Sequence, residues 1–128
     1  MTGVLVDTSI WIDYFRGVAV ADLLSDLIDS NRVVINDIIL AELLPSIEIR
    51  KEKRLRELLL AVRKATMTID WREIVEMQTM NLSNGHNHVG IPDLIIAQNA
   101  LLNDLVLFEN DKHFRPMEKL FGLALLRE

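Results

Sequence analysis

Five short apolar runs are spread along the chain: Val4-Leu5-Val6, Val33-Val34-Ile35, Met67-Thr68-Ile69, Leu105-Val106-Leu107-Phe108 and Leu123-Ala124-Leu125-Leu126. None shows the strict apolar-polar alternation of a half-buried strand. Runs of this length without alternation predict strands covered on both faces, which is the habit of parallel sheets. The segments between them carry helical stripes. Val20, Leu23, Leu24, Leu27 and Ile28 form one, and Leu55, Leu58, Leu59 and Val62 form a second at i, i+3, i+4, i+7. Trp71, Ile74 and Val75 begin a third. Pro92 and Asp93 open a helix carrying Leu94, Ala97, Leu101 and Leu102, with proline at an early position where its missing N–H costs nothing. Strands alternating with helices predict an α/β domain with right-handed crossovers and an open, mostly parallel sheet.

The length of 128 residues suits one domain, read as residues 1–128, and no linker, repeat or biased tract divides it. Half the residues are apolar and 26% are charged, which excludes a disordered chain. With no cysteine there is neither a disulfide framework nor a thiolate metal site. No apolar run reaches the roughly 20 residues of a bilayer span, and Asp7 and Asp13 interrupt what would be a signal peptide, so a cytoplasmic domain is expected. Glycine-rich phosphate loops of the dinucleotide and triphosphate types are absent.

The formal net charge is −5, which argues against bulk attraction to nucleic acid. Residues 50–64, however, hold seven of the 14 basic residues and only two acids. Arg50, Lys51, Lys53, Arg54, Arg56, Arg63 and Lys64 surround an apolar stripe, so this run is either a solvated helix face or a track for an RNA backbone, with Arg50, Lys51 and Arg54 as the contact candidates.

Ligands of open α/β sheets bind beyond the carboxyl ends of the strands. Asp7 stands at that end of the first strand, where it can serve a site or cap the helix that begins near Ser9. Glu42, in Asp37-Ile38-Ile39-Leu40-Ala41-Glu42-Leu43-Leu44, is a carboxylate among apolar residues, either held by a cation or donors or placed on a narrow polar edge. Asp93 lies in the first turn of its helix, where it suits the dipole. Asp111 follows the fourth apolar run in a polar turn. The conjunction carries the inference: four acids able to converge on one crevice would repel one another unless a divalent cation joined them, and oxygen ligands favour Mg²⁺ or Mn²⁺. His86 and His88 form a His-x-His pair in a polar loop, and His113 is a candidate acid near a leaving group or a packed surface histidine. Trp11, Tyr14 and Phe15 on the first helix are better explained by packing than by base stacking.

At these residues the chain resembles a known family. Val6-Asp7-Thr8-Ser9, Ala41-Glu42-Leu43-Leu44, Ile91-Pro92-Asp93-Leu94-Ile95-Ile96-Ala97 and Asp111-Lys112-His113-Phe114 are similar to the four motifs of PIN-domain nucleases, in particular the small VapC-type toxins of toxin–antitoxin pairs. The resemblance spans nearly the whole chain. It implies a five-stranded sheet of order about 3-2-1-4-5 and an Mg²⁺-dependent ribonuclease site. Asp7, Glu42, Asp93 and Asp111 would be its acids, with Thr8 or Ser9 as a supporting hydroxyl. It further implies a VapB-like antitoxin whose C-terminal segment blocks the site, with Leu40, Leu43 and Leu44 as contributors to that surface, and homodimers are common among such toxins. The chain departs from the pattern at Glu109, where Thr or Ser is frequent, and at His113, where Asp is frequent. Two other readings compete: a catalytically silent PIN-like binding module, and a phosphate-handling domain, either a phosphatase, for which Asp7-Thr8-Ser9 is not the required Asp-x-Asp, or a receiver, which would need adjacent acids and a basic residue at a later strand end.

Overall fold

A computed structural model of the chain describes residues 2–18, 21–110 and 112–126. Strand β1 (Val4–Val6) leads into α1 (Thr8–Phe15) and α2 (Ala21–Asp29), then β2 (Val33–Ile35), α3 (Asp37–Arg50) and α4 (Lys53–Ala61). Strand β3 (Arg63–Lys64), α5 (Trp71–Ser83), α6 (Ile91–Leu102) and β4 (Val106–Phe108) follow. A 3-10 turn (Lys112–Phe114), α7 (Arg115–Phe121) and β5 (Leu125–Leu126) complete the order.

The sheet is parallel throughout, in the order β3-β2-β1-β4-β5. Its central strand is the most covered: Val4, Leu5 and Val6 are fully buried, as the apolar run requires when helices lie on both faces. Val4 is in register with Val33 on one side and Val106 on the other, and Val6 with Phe108. Helices supply Ile10, Trp11, Leu24, Ile39, Leu59, Leu94 and Ile96 to the same core. Trp11 is buried in it and packs edge-on against Tyr14, 6.1 Å between ring centres, in agreement with a packing role for these aromatics. Val20, assigned to the α2 stripe, lies outside the described residues.

One predicted strand is displaced. Met67-Thr68-Ile69 does not join the sheet; the third strand is Arg63–Lys64, paired with Val34 and Ile35. The helix predicted to include Val62 ends at Ala61, and Val62 is already extended. Two forces account for this. As an edge strand with both side chains exposed, β3 needs no apolar run to mark it. Just beyond it, the Thr66 carbonyl accepts hydrogen bonds from the side chains of Asn99 and Asn103, which draws the chain from the sheet toward α6.

The same network ties together two helices that position the site. Asn36 caps α3 by accepting from the Ile39 amide, and its side-chain amide donates to Asn99 Oδ1 on α6 at 2.9 Å. Asn36 and Asn99 are both buried. Asn36→Ala removes the cap and leaves buried polar atoms unsatisfied, so a loss of about 2–3 kcal/mol is expected, read as a lowered midpoint in urea denaturation.

Candidate active site

Asp7 leaves the carboxyl end of the central strand. Its amide donates to the Phe108 carbonyl at 3.0 Å, so the chain is still held against β4 where the side chain turns into the crevice. Asp7 occupies the N-cap position of α1, yet its side chain makes no capping bond there. The carboxylate is 5% exposed and accepts from Ser9 Oγ at 3.0 Å. Burial pushes its pKa up to about 6. The Ser9 hydroxyl and the Thr8 amide work the other way, while the negative charges of Glu42 and Asp93 add to the rise.

Glu42 reaches the site from α3 and accepts from Thr8 Oγ1 at 3.0 Å. It lies on an exposed edge of its helix, not in an apolar enclosure, so the polar-edge reading of its surroundings holds. Leu40 and Leu43, considered for a partner surface, are buried in the core, and Leu44 is half-buried. Asp93 comes from the first turn of α6. Its Oδ2 accepts the Gly90 amide at 3.4 Å, which is the expected first-turn role, and lies 3.3 Å from His113 Nδ1. Both α6 and the 3-10 turn after β4 therefore face the crevice. Glu109, directly after β4, is buried. Asp111 lies outside the described residues.

The donor chemistry fits a hard divalent cation: a buried carboxylate whose ionisation is opposed by two neighbouring acids gains when a cation replaces that repulsion. Among the described residues, no three His, Asp or Glu side chains already surround one cation position, and His86 and His88 do not form such a group. The fit therefore rests on the kind of donors and on a carboxylate that burial first, and the charges of Glu42 and Asp93 second, hold above its ordinary pKa.

The basic segment is divided by the fold. Arg56 pairs with Glu48 and Lys64 with Asp37, and Arg63 and Lys64 sit on the sheet edge. Arg50 ends α3, Lys51 is its left-handed cap at φ 56°, and Arg54 is exposed on α4. Of these three, Arg50 comes nearest the acids, lining with Glu42, Phe15 and Arg16 a hollow of about 200 Å³. Arg16, the C-cap residue of α1, joins that hollow although nothing in the sequence signals it, because only the packing of α1 against α3 brings it there.

The PIN-domain family profile matches residues 4–120. Three solved structures share the fold. A VapBC2 complex from Rickettsia felis bound to a promoter DNA fragment is 19% identical, with a TM-score of 0.73 over 98% of both chains. FitAcB from Neisseria gonorrhoeae is 18% identical, with a TM-score of 0.68 over 96% of both chains. A DNA-bound VapBC from Salmonella typhimurium is 19% identical, with a TM-score of 0.69 over 99% of this chain and 98% of that one. Among curated proteins, none matches the sequence significantly. No helix among the described residues is long and apolar enough to cross a membrane.

Proposed function

The chain belongs to the PIN-domain family, and from that premise we propose that it is a divalent-cation-dependent endoribonuclease of the VapC type, the toxin of a toxin–antitoxin pair. The observation that supports this reading is buried Asp7 at the end of the central strand, with Glu42 held by Thr8 beside it and Asp93 close enough for both charges to add to the rise that burial causes in its pKa, to about 6. A lone capping aspartate would not be so surrounded.

Asp7, Asp93 and Asp111 would hold Mg²⁺, or Mn²⁺ in its place, with Glu42 binding directly or through water. The cation would supply an activated water and neutralise charge developing on the scissile phosphate. The protein's own part is positional. Ser9 fixes the Asp7 carboxylate by donating to Oδ2, and Thr8 fixes Glu42 by donating to Oε1. His113, 3.3 Å from Asp93 Oδ2, would be the candidate proton donor to a leaving oxygen. Thr8→Val removes one hydrogen bond to a carboxylate, worth about 1.5 kcal/mol, so cleavage should fall roughly tenfold without loss of fold; initial rates and circular dichroism check both halves.

A VapB-like antitoxin is the proposed partner, supported by the VapBC complexes with which the chain shares its fold. The hollow that joins Glu42 to Phe15 and Arg50 is the place for its C-terminal segment, and the cytoplasm is the proposed compartment. Incubation of the purified chain with a fluorogenic RNA and Mg²⁺ tests the reading. Cation-dependent signal is expected, and none at any Mg²⁺ or Mn²⁺ concentration would favour a silent binding module.

A further inference from the structure

A second cleft, with cationic side chains around an apolar floor of Pro116 and Leu120, lies on the β4 side of the molecule, away from the basic segment at residues 50–64. Its volume is about 580 Å³, and Asn84 and His86, from the end of α5 and the turn after it, face Lys112, Arg115 and Lys119 across it. No Asp or Glu among the described residues lines it, although the chain as a whole has a net charge of −5. The three cationic side chains belong to exposed residues, and among the described residues they enter no ion pair, whereas Arg56, Lys64 and Arg72 are each paired with an acid. Arg115 and Lys119 stand one helical turn apart on α7, so their side chains share a face. Lys112 directly precedes His113, whose Nδ1 is 3.3 Å from Asp93 Oδ2, so one 3-10 turn links the cleft to the Asp93 end of the site.

We propose that this cleft is the track that holds the phosphates of single-stranded RNA as the strand leaves the carboxylate site, with Lys112, Arg115 and Lys119 as the contacts and Asn84 and His86 as polar contacts to the backbone. The proposal rests on the nuclease reading above. Its physical basis is compensation: a crevice of acids repels phosphates within a Debye length of about 8–10 Å, so productive binding needs unpaired cations close beside it. Residues 50–64 meet that need only at Arg50, which lines the hollow with Glu42 on the other side of the site. Arg56 and Lys64 are paired with acids, and Lys64 lies with Arg63 on β3, at the sheet edge opposite β4 and β5.

The test uses the full chain carrying Asp7→Asn to prevent turnover, with Mg²⁺ present and a fluorescein-labelled oligouridine of about twelve nucleotides as probe. Fluorescence anisotropy is followed across a salt series for this background, for the same background with Lys112→Gln, Arg115→Gln and Lys119→Gln, and for one with Lys51→Gln, Lys53→Gln and Arg54→Gln. All six substituted residues are exposed, so the fold is expected to survive. Loss of the cleft cations should weaken binding at least about tenfold and reduce the slope of log affinity against log salt by about 2, at roughly 0.7 per phosphate contact. The set at residues 51–54 should change both far less. Unchanged affinity and slope in the cleft variant, while otherwise wild-type protein cleaves RNA, overturns the track alone. Failure of wild type to cleave and of the background to bind any RNA overturns the nuclease reading and the track together. A cleft variant that binds RNA normally but loses an acidic antitoxin segment also overturns it, assigning the cleft to a protein partner instead.

Discussion

Asp7→Asn is expected to lower RNA cleavage by at least about a thousandfold, on the order of 4 kcal/mol of transition-state stabilisation, and at the same time to make the cation-free protein more stable. The first effect follows from the place of Asp7 at the end of the central strand, where an amide oxygen would remain but the charge that attracts a cation would not. The second follows from burial. In the folded protein the pKa stands at about 6 against an ordinary value of 3.8, so at pH 7 ionised Asp7 opposes folding by about 3 kcal/mol at most. The direction is fixed by the raised value: the favourable contribution of the protonated carboxyl is fully present below about pH 4 and is lost as pH rises through about 6. Asparagine carries no such penalty and can still accept from Ser9. Chemical denaturation at pH 7.5 in the presence of a chelator should therefore give a higher unfolding free energy for the variant, and Mg²⁺ should raise the melting temperature of wild type but not of Asp7→Asn. A variant less stable than wild type under chelation would show that Asp7 is held by structural bonds worth more than its burial costs.

Cleavage is also expected to depend steeply on acidity and on the cation together. Below about pH 6 the protonated Asp7 carboxyl cannot serve as a ligand, so the rate at limiting Mg²⁺ should fall roughly tenfold per pH unit. Raising Mg²⁺ should move that acid limb to lower pH, because proton and cation compete for the same oxygens. Chelation at pH 7.5 should abolish activity, and Mn²⁺ should restore it. An acid limb that stays fixed across a hundredfold range of Mg²⁺ would mean that the titrating group is not a ligand. Rate profiles from pH 5 to 8 at several cation concentrations decide between the two.

How much of this could be read from the sequence depended on whether a residue's role is local. Strands β1, β2, β4 and β5 sit within their predicted apolar runs, because burial on both faces leaves such a run behind. Strand β3 left none, since Arg63 and Lys64 are exposed on the edge, while Met67-Thr68-Ile69 resembled a strand but is diverted by side chains of α6. Asp7 and Asp93 were legible as acids beside strand and helix ends, and Thr8 and Ser9 as hydroxyls next to them. That Thr8 would serve Glu42 and Ser9 would serve Asp7 was not, because the first bond spans 34 positions and depends on how α3 packs beside α1. The basic run at 50–64 was conspicuous because its charges are contiguous in sequence. The cationic cleft was invisible for the opposite reason: His86 and Lys112 belong to separate elements, and only folding puts them on facing walls.

The most direct measurement of the central claim is the chemistry of the cut ends. A labelled RNA incubated with the purified chain and Mg²⁺, then analysed by mass spectrometry, should yield fragments with 5′-phosphate and 3′-hydroxyl termini, as attack by a cation-activated water requires, and no fragments when the cation is chelated. Cleavage that persists in the chelator and leaves 2′,3′-cyclic phosphates would contradict it, because the 2′-hydroxyl would then be the nucleophile and the converging carboxylates would not be the site of hydrolysis.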